Sequence, residues 1–263
     1  MSRGPRLLVA ALTGLRRASV LLSALVIWEA VARSGAASPL IVPSLVRILR
    51  ELGLLASRVE PLMEAVQSLS RALSGFALAV AVGVLIGLLM GRSLIAARLL
   101  DPLFSGTYPI PKIALFPIFV FVFGIGSLSK VSLVFLECLY PVVINTYYGS
   151  RAVSRVLLWS ARSMGASPRR VLWRVVVPAS LPFIFAGLRV ALPIAMIVVI
   201  ITEMIGSADG LGYLVIYSLA SFKTDRMLAV VLAIALLGLG LDRLLVVVRD
   251  RLVFWEKLTS YFA

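Results

Sequence analysis

Met164–Pro182 reads MGASPRRVLWRVVVPASLP. It carries Arg169, Arg170 and Arg174, with Arg162 just upstream, and no acid. Long apolar stretches flank it on both sides. Residues 152–164 contain no helix breaker, and Gly165 is placed to end a helix there, because glycine accepts the left-handed conformation that closes one. Ser167 is a good N-cap and Pro168 a good first helical residue for the next. That second helix puts Val171, Leu172, Val175 and Val176 on one face and the arginines around the other. Pro178 and Pro182 are expected to close it. A connector between two apolar helices needs only a few polar residues. A short helix–turn–helix with a half-apolar face predicts instead a surface shaped for docking another protein.

The composition says what those flanks are. The 263-residue chain is 61% hydrophobic and 14% charged, with mean hydropathy +1.05. Soluble domains lie near half apolar and a quarter charged, so a polytopic all-α membrane protein is expected. The net charge of +14 sits in clusters between apolar runs, not along one face, which argues against nucleic acid as a partner. Cys138 is the single cysteine, lies in an apolar run and reads as a packing residue. Histidine is absent, which removes the commonest metal ligand and general base. Without a clustered Asp/Glu set either, no metal site is expected and a membrane-embedded enzyme has little to work with. No GxxxxGK[ST] phosphate loop occurs, so the chain is not expected to be its own ATP-driven motor.

A membrane-spanning helix needs about 20 mostly apolar residues. Six candidates fit, at 18–34, 67–91, 103–124, 130–149, 180–205 and 227–248. The first follows basic residues and resembles a signal peptide, but Trp28 and Glu29 inside it favour an uncleaved helix. Only the second has a charge-free core of full length, Ala72–Gly91. The others hold Glu29, Lys112, Glu137, Arg189, Glu203 or the Asp242/Arg243 pair, and so are expected to face one another or a cavity. With the N-terminus inside, sixteen Lys and Arg fall on inside segments and six on outside ones. That asymmetry predicts both termini cytoplasmic in a plasma-membrane protein.

Three details refine the bundle. Ser44 opens an amphipathic helix with Leu45, Ile48, Leu49, Leu52 and Leu55 on one face, suited either to the lipid interface or to packing on the bundle. Gly83, Gly87 and Gly91 make two overlapping GxxxG steps, which let helix backbones approach closely. Pro109, Pro111 and Pro117 in the third candidate are expected to kink it, either as a plain kink or as part of a flexible helix lining a pathway. Among polar groups inside helices, Tyr108, Asn145 and Glu203 are candidate solute contacts, or else interhelical hydrogen bonds. Lys112 and Arg189 are placed to draw in an anion, and Arg189 also suits snorkelling to the interface. Glu203, Glu137 and Arg189 would also serve an ATP-independent secondary transporter or channel as an ion relay. Such a relay has no need of the helix–turn–helix.

The stretch SARSMGASPRRVLWRVVVPASLPFIFAGLR (160–189) resembles the Glu-Ala-Ala loop of permease subunits in ATP-binding-cassette (ABC) importers. That family's pattern is Glu-Ala-Ala, three residues, Gly, nine residues, then Ile-x-Leu-Pro. Here Ala161 matches the second Ala, Gly165 the Gly, and Val175, Val177 and Pro178 the final block. Trp159 stands in place of the Glu and Ser160 in place of the first Ala, which removes one polar contact to the ATPase. WEAVARSG (28–35), PIPKIALFPIFVFVFGIGSLSK (109–130), NTYYG (145–149) and TEMIGSADGLGYLV (202–215) resemble the nitrate/sulfonate/taurine branch.

The resemblance implies a type I importer permease fold with six transmembrane helices. It implies a cytoplasmic segment 1–17, a permease domain 18–248 with a coupling loop at 150–179, and a cytoplasmic tail 249–263. Trp159, Ser160, Ala161, Gly165, Ala166, Ser167, Pro168, Val175, Val177 and Pro178 would form the ATPase-coupling surface. Two copies would make a homodimeric pathway in the lipid bilayer. Separate ATPase subunits would carry ATP and magnesium, an extracytoplasmic binding protein would deliver a small anion such as a sulfonate or nitrate, and this chain would bind no cofactor.

Overall fold

In a computed structural model of the chain, residues 19–255 are described, except 21, 37 and 39. Every regular element among them is helical. In chain order these are α1 (22–34), α2 (Leu45–Ser57), α3 (Val59–Arg92), α4 (Leu94–Thr107), a 3-10 turn (Lys112–Leu115) and α5 (Phe116–Phe123). They continue with α6 (Ser127–Ala152), α7 (Arg155–Ser163), α8 (Pro168–Val171), a π turn (Leu172–Val176), α9 (Val177–Gly206), α10 (Leu211–Ala220) and α11 (Thr224–Leu252). The expected segment 1–17, and 256–263 of the expected tail, lie outside the described residues.

The chain forms two compact units, Met1–Leu62 with Leu214–Ala233 and Met63–Tyr213 with Ile234–Ala263. In the first, α1 is tied to the start of α2. The Trp28 indole donates to Pro43 O at 3.0 Å, and Glu29 Oε2 accepts from Leu45 N at 2.7 Å. Ser44 is the N-cap residue but makes no side-chain cap. The carboxylate from α1 takes that place, satisfying one of the bare N–H groups at a positive helix end. On the apolar face of α2, Ile48 and Leu55 are buried whereas Leu49 is 59% exposed.

In the second unit, glycines set the packing. A Cβ on Gly75, Gly83, Gly87 or Gly91 of α3 would meet Val134, Val142, Thr146 or Ser150 of α6 at 2.5–2.8 Å. The four pairs advance in step along both helices, so α3 and α6 run parallel in close contact. Gly149 and Gly187 do the same for α6 and α9, meeting Phe183 and Asn145 with the opposite sense, so α9 is antiparallel to α6. Leu133, Val134, Val142, Val143, Ala191 and Val199 form the centre of this core.

Four helices among the described residues are long and apolar enough to cross a membrane: α3, α6, the α8–α9 run Pro168–Gly206, and α11. The third sequence candidate, 103–124, is not one helix. It is α4 and the 3-10/α5 segment, meeting at 89°. Pro109 and Pro111 each lack an N–H donor, so the helix ends at Tyr108, which keeps helical angles, and Pro111 is extended before the 3-10 turn. Pro117 sits in the first turn of α5, where its missing N–H costs nothing. Taken together, the bent pair is also long and apolar enough for one broken span, which brings the number among the described residues to at most five. The described part of the first candidate, 22–34, is helical.

A second expectation is also corrected. Pro178 and Pro182 do not close the second short helix, which runs on without a break into α9. Val177 N donates to Leu172 O, five residues back, in a widened π turn directly before Pro178. That turn relieves the clash a proline ring makes with the preceding turn of a regular α-helix.

Candidate functional site

Two sites emerge, both in the second unit. The first is the segment between α6 and α9. α7 ends at Ser163 with Met164 as its C-cap, and Gly165 follows at φ +80°, the left-handed closure expected of it. Gly165 N donates to Arg162 O and Ala166 N to Ala161 O, at 2.9 and 3.0 Å. Ser167 is extended and its Oγ accepts from Arg170 N, with Pro168 first in the new helix. Leu158, Ala161, Val171 and Val176 are buried together with Val153 and with Leu88 of α3. The segment is therefore a fixed projection of the helix bundle, packed on its own apolar face. Val175, Val177 and Ala166 pack at the edge of that cluster. Its outer surface is aromatic and basic: Trp159 and Trp173 are each 61% exposed, Met164 is 80% exposed, and Arg155, Arg162, Arg169, Arg170 and Arg174 surround them. Ser160 is exposed, and its carbonyl accepts from Met164 N.

The second site is a buried charge cluster where α3, α9 and the 207–210 loop meet. Arg71 donates to Glu203 Oε1 at 2.8 Å, to both Asp209 oxygens at 2.9 and 3.0 Å, and to Ser127 Oγ at 3.0 Å. Glu203 Oε2 accepts from Ser68 Oγ and Gly212 N, and Ser68 Oγ accepts from Leu211 N. Glu64 takes Gly210 N. Gly210, at φ +94°, and Gly212 leave room for the carboxylate: a Cβ on Gly210 would fall 2.3 Å from Glu203 Cδ. In TEMIGSADGLG (202–212) the acid and the glycines thus form one latch. Burial pushes the Asp209 carboxyl up, but the Ser207 hydroxyl and the Arg71 guanidinium outweigh it and hold it below its ordinary value.

At the α4–α5 bend, Lys112 is buried. Its ammonium donates to Tyr108 O and Ile110 O at 3.2 and 3.3 Å and lies 3.9 Å from the Tyr140 ring centre. This charge is held by carbonyls freed at the break and by an aromatic face.

Against this geometry stand the likenesses to known proteins. Residues 79–253 match the family of binding-protein-dependent transport system inner membrane components. The chain is 38% identical over 192 residues to a putative ABC transporter permease protein of Methanocaldococcus jannaschii, covering 73% of this chain and 72% of that one. It is 33% identical over 238 residues to the taurine transport system permease protein of Escherichia coli, covering 88% and 86%. The chain belongs to this permease family. Its fold is similar to that of the MetNI methionine ABC transporter in inward-facing form, with TM-score 0.51 and 18% identity over 82% of this chain and 97% of that one.

The permease is thus a multi-pass membrane protein, all-helical in its regular elements among the described residues, and a transport subunit. Of its expected solute contacts, the structure brings Tyr108 and Lys112 together, with Tyr108 54% exposed. Asn145 stands apart from them: its amide donates to Pro141 O within α6 at 2.8 Å, an intrahelical bond instead of an interhelical one. Glu203 is 1% exposed and fully engaged by Arg71, Ser68 and Gly212. Arg189 pairs with Asp242 at 3.0 Å. Glu203 and Arg189 are thus engaged by different partners. Arg71 was missed in the sequence, although it is the one charge inside the 67–91 candidate.

Proposed function

We propose that this permease forms the membrane pathway of an ATP-driven importer and that segment 150–179 seats a separate ATPase carrying ATP and magnesium. The observation that carries this reading is the fixed projection with exposed Trp159, Trp173 and Met164. Apolar surface of this kind on a rigid base calls for a protein partner. Ala161 supports the projection from beneath, Gly165, Ser167 and Pro168 shape its turn, and Val175–Pro178 fuse it to α9. Movement of the ATPase would then be passed to a membrane helix without a flexible joint.

The full assembly in this reading has two permease copies, two ATPases and an extracytoplasmic binding protein. Both termini face the cytoplasm, with 1–17 and 249–263 flanking the permease domain 18–248. The solute is a small anion of the sulfonate class, as the name of the Escherichia coli relative favours, and Tyr108 and Lys112 at the α4–α5 bend contribute to its path. The test is uptake of labelled taurine into proteoliposomes holding the permease, its ATPase and its binding protein. Uptake that requires ATP supports the reading; uptake that proceeds without ATPase or ATP refutes it.

A further inference from the structure

Two depressions adjoin where α7 and α8 meet the C-terminal ends of α3 and α6, and both are lined by Arg92 and Arg162. The larger, about 360 Å³, adds Arg151 and Arg155, with Trp159 at its edge. The smaller, about 230 Å³, is otherwise apolar, formed by Pro168 with Val171, Leu172 and Val176. No carboxylate lines either one. All four arginines are exposed, and among the described residues none of them forms an ion pair. Arg151 donates to the Tyr147 hydroxyl at 2.7 Å.

Basic residues near helix ends serve membrane orientation, but orientation counts charges and does not require them to converge. Here four guanidiniums surround one concavity, next to an exposed indole and an apolar slot. Their mutual repulsion is relieved by an occupant that brings negative charge, and the planar guanidinium fork matches a carboxylate in two-point contact. We propose that the paired depressions receive an acidic segment of the partner ATPase. A carboxylate sits among Arg92, Arg155 and Arg162, and an apolar side chain enters the slot over Val171 and Val176. The contact is opposite in charge to one made by a permease glutamate, since Trp159 occupies that position and the segment 151–188 holds no acid. An anionic phospholipid headgroup would also meet the arginines, but it would leave Trp159, Trp173 and Met164 uncovered, whereas a protein surface covers both. The inference rests on the docking role assigned to 150–179.

The experiment uses the assembled permease–ATPase complex. Arg155→Lys and Arg162→Lys variants are treated with a water-soluble carbodiimide, which joins a lysine amine to a carboxylate in contact with it. Arg155→Glu/Arg162→Glu and Arg155→Gln/Arg162→Gln are compared for ATPase retention at equal membrane abundance. The expected result is an amide link to an Asp or Glu of the ATPase. Retention should fall at least tenfold for the Glu pair and less for the Gln pair. ATPase retained by the wild type with no such link, and unchanged retention in the Glu pair, overturns the acidic-segment proposal while leaving docking intact. So does loss of bound anionic lipid from the Glu pair without loss of ATPase. Failure of the wild-type permease to retain any ATPase overturns the docking role itself.

Discussion

Arg71 of α3 and Glu203 of α9 form an ion pair at 2.8 Å, with side chains 7% and 0% exposed. Removing Arg71 strands the Glu203 charge in the interior, a loss of about 3–5 kcal/mol, and removing the Glu203 charge leaves the buried guanidinium only the part-exposed Asp209. Glu203→Gln and Arg71→Met should each lower the melting temperature of the detergent-solubilised permease markedly. The double variant Arg71→Met/Glu203→Leu should recover part of the loss, since an apolar pair replaces a charged one. Equal melting temperatures for wild type and Glu203→Gln would show that the latch does not hold α3 to α9.

The same cluster predicts a pH dependence. Asp209 is held below its ordinary pKa of 3.8 in the folded protein. Its contribution to stability is therefore present above that ordinary value and is lost as pH falls through the lower folded one. Asp209→Asn should be less stable than wild type at neutral pH, and the gap should close below about pH 4. A gap that stays constant down to pH 3 would contradict the pairing.

Glycine contacts separate two kinds of position. A Cβ at Gly87 would lie 2.5 Å from Thr146 Cβ and 2.8 Å from the Val143 carbonyl, while one at Gly106 of α4 meets nothing within 4 Å. Gly87→Ala should destabilise by about 1–3 kcal/mol through overpacking. Gly106→Ala should be neutral or stabilising by up to about 1 kcal/mol through helix propensity. Thermal unfolding of the two variants checks the order; the reverse order would refute close packing of α3 on α6 at Gly87.

What was legible in the sequence depended on range. The turn at Gly165–Pro168 and the glycine ladder of α3 rest on neighbouring residues, so their chemistry shows in short windows. The Arg71 latch joins residues 132 and 138 positions apart, and no local pattern reports it. Its trace was a lone arginine in one apolar run and a lone glutamate in another, two opposite charges that lipid would penalise singly. The prolines announced a kink in the 103–124 candidate, but not its size: a missing N–H marks where a helix weakens, whereas the 89° angle is set by packing around the break. Pro178 misled in the other direction: a proline reads as a stop, yet the π turn at Leu172–Val176 carries the helix past it.

The central claim is that segment 150–179 couples the permease to an ATPase, and Gly165 tests it most directly. Gly165 has φ +80°, and nothing lies within 4 Å of where its Cβ would be. A substitution there strains the turn and touches nothing else, and β-branched residues accept this conformation least. The measurement is ATPase co-purification and ATP-dependent uptake for Gly165→Val, each normalised to permease abundance in the membrane. The account predicts normal abundance with ATPase retention weakened and uptake abolished. Normal retention and normal uptake would contradict it and reduce the segment to a connector.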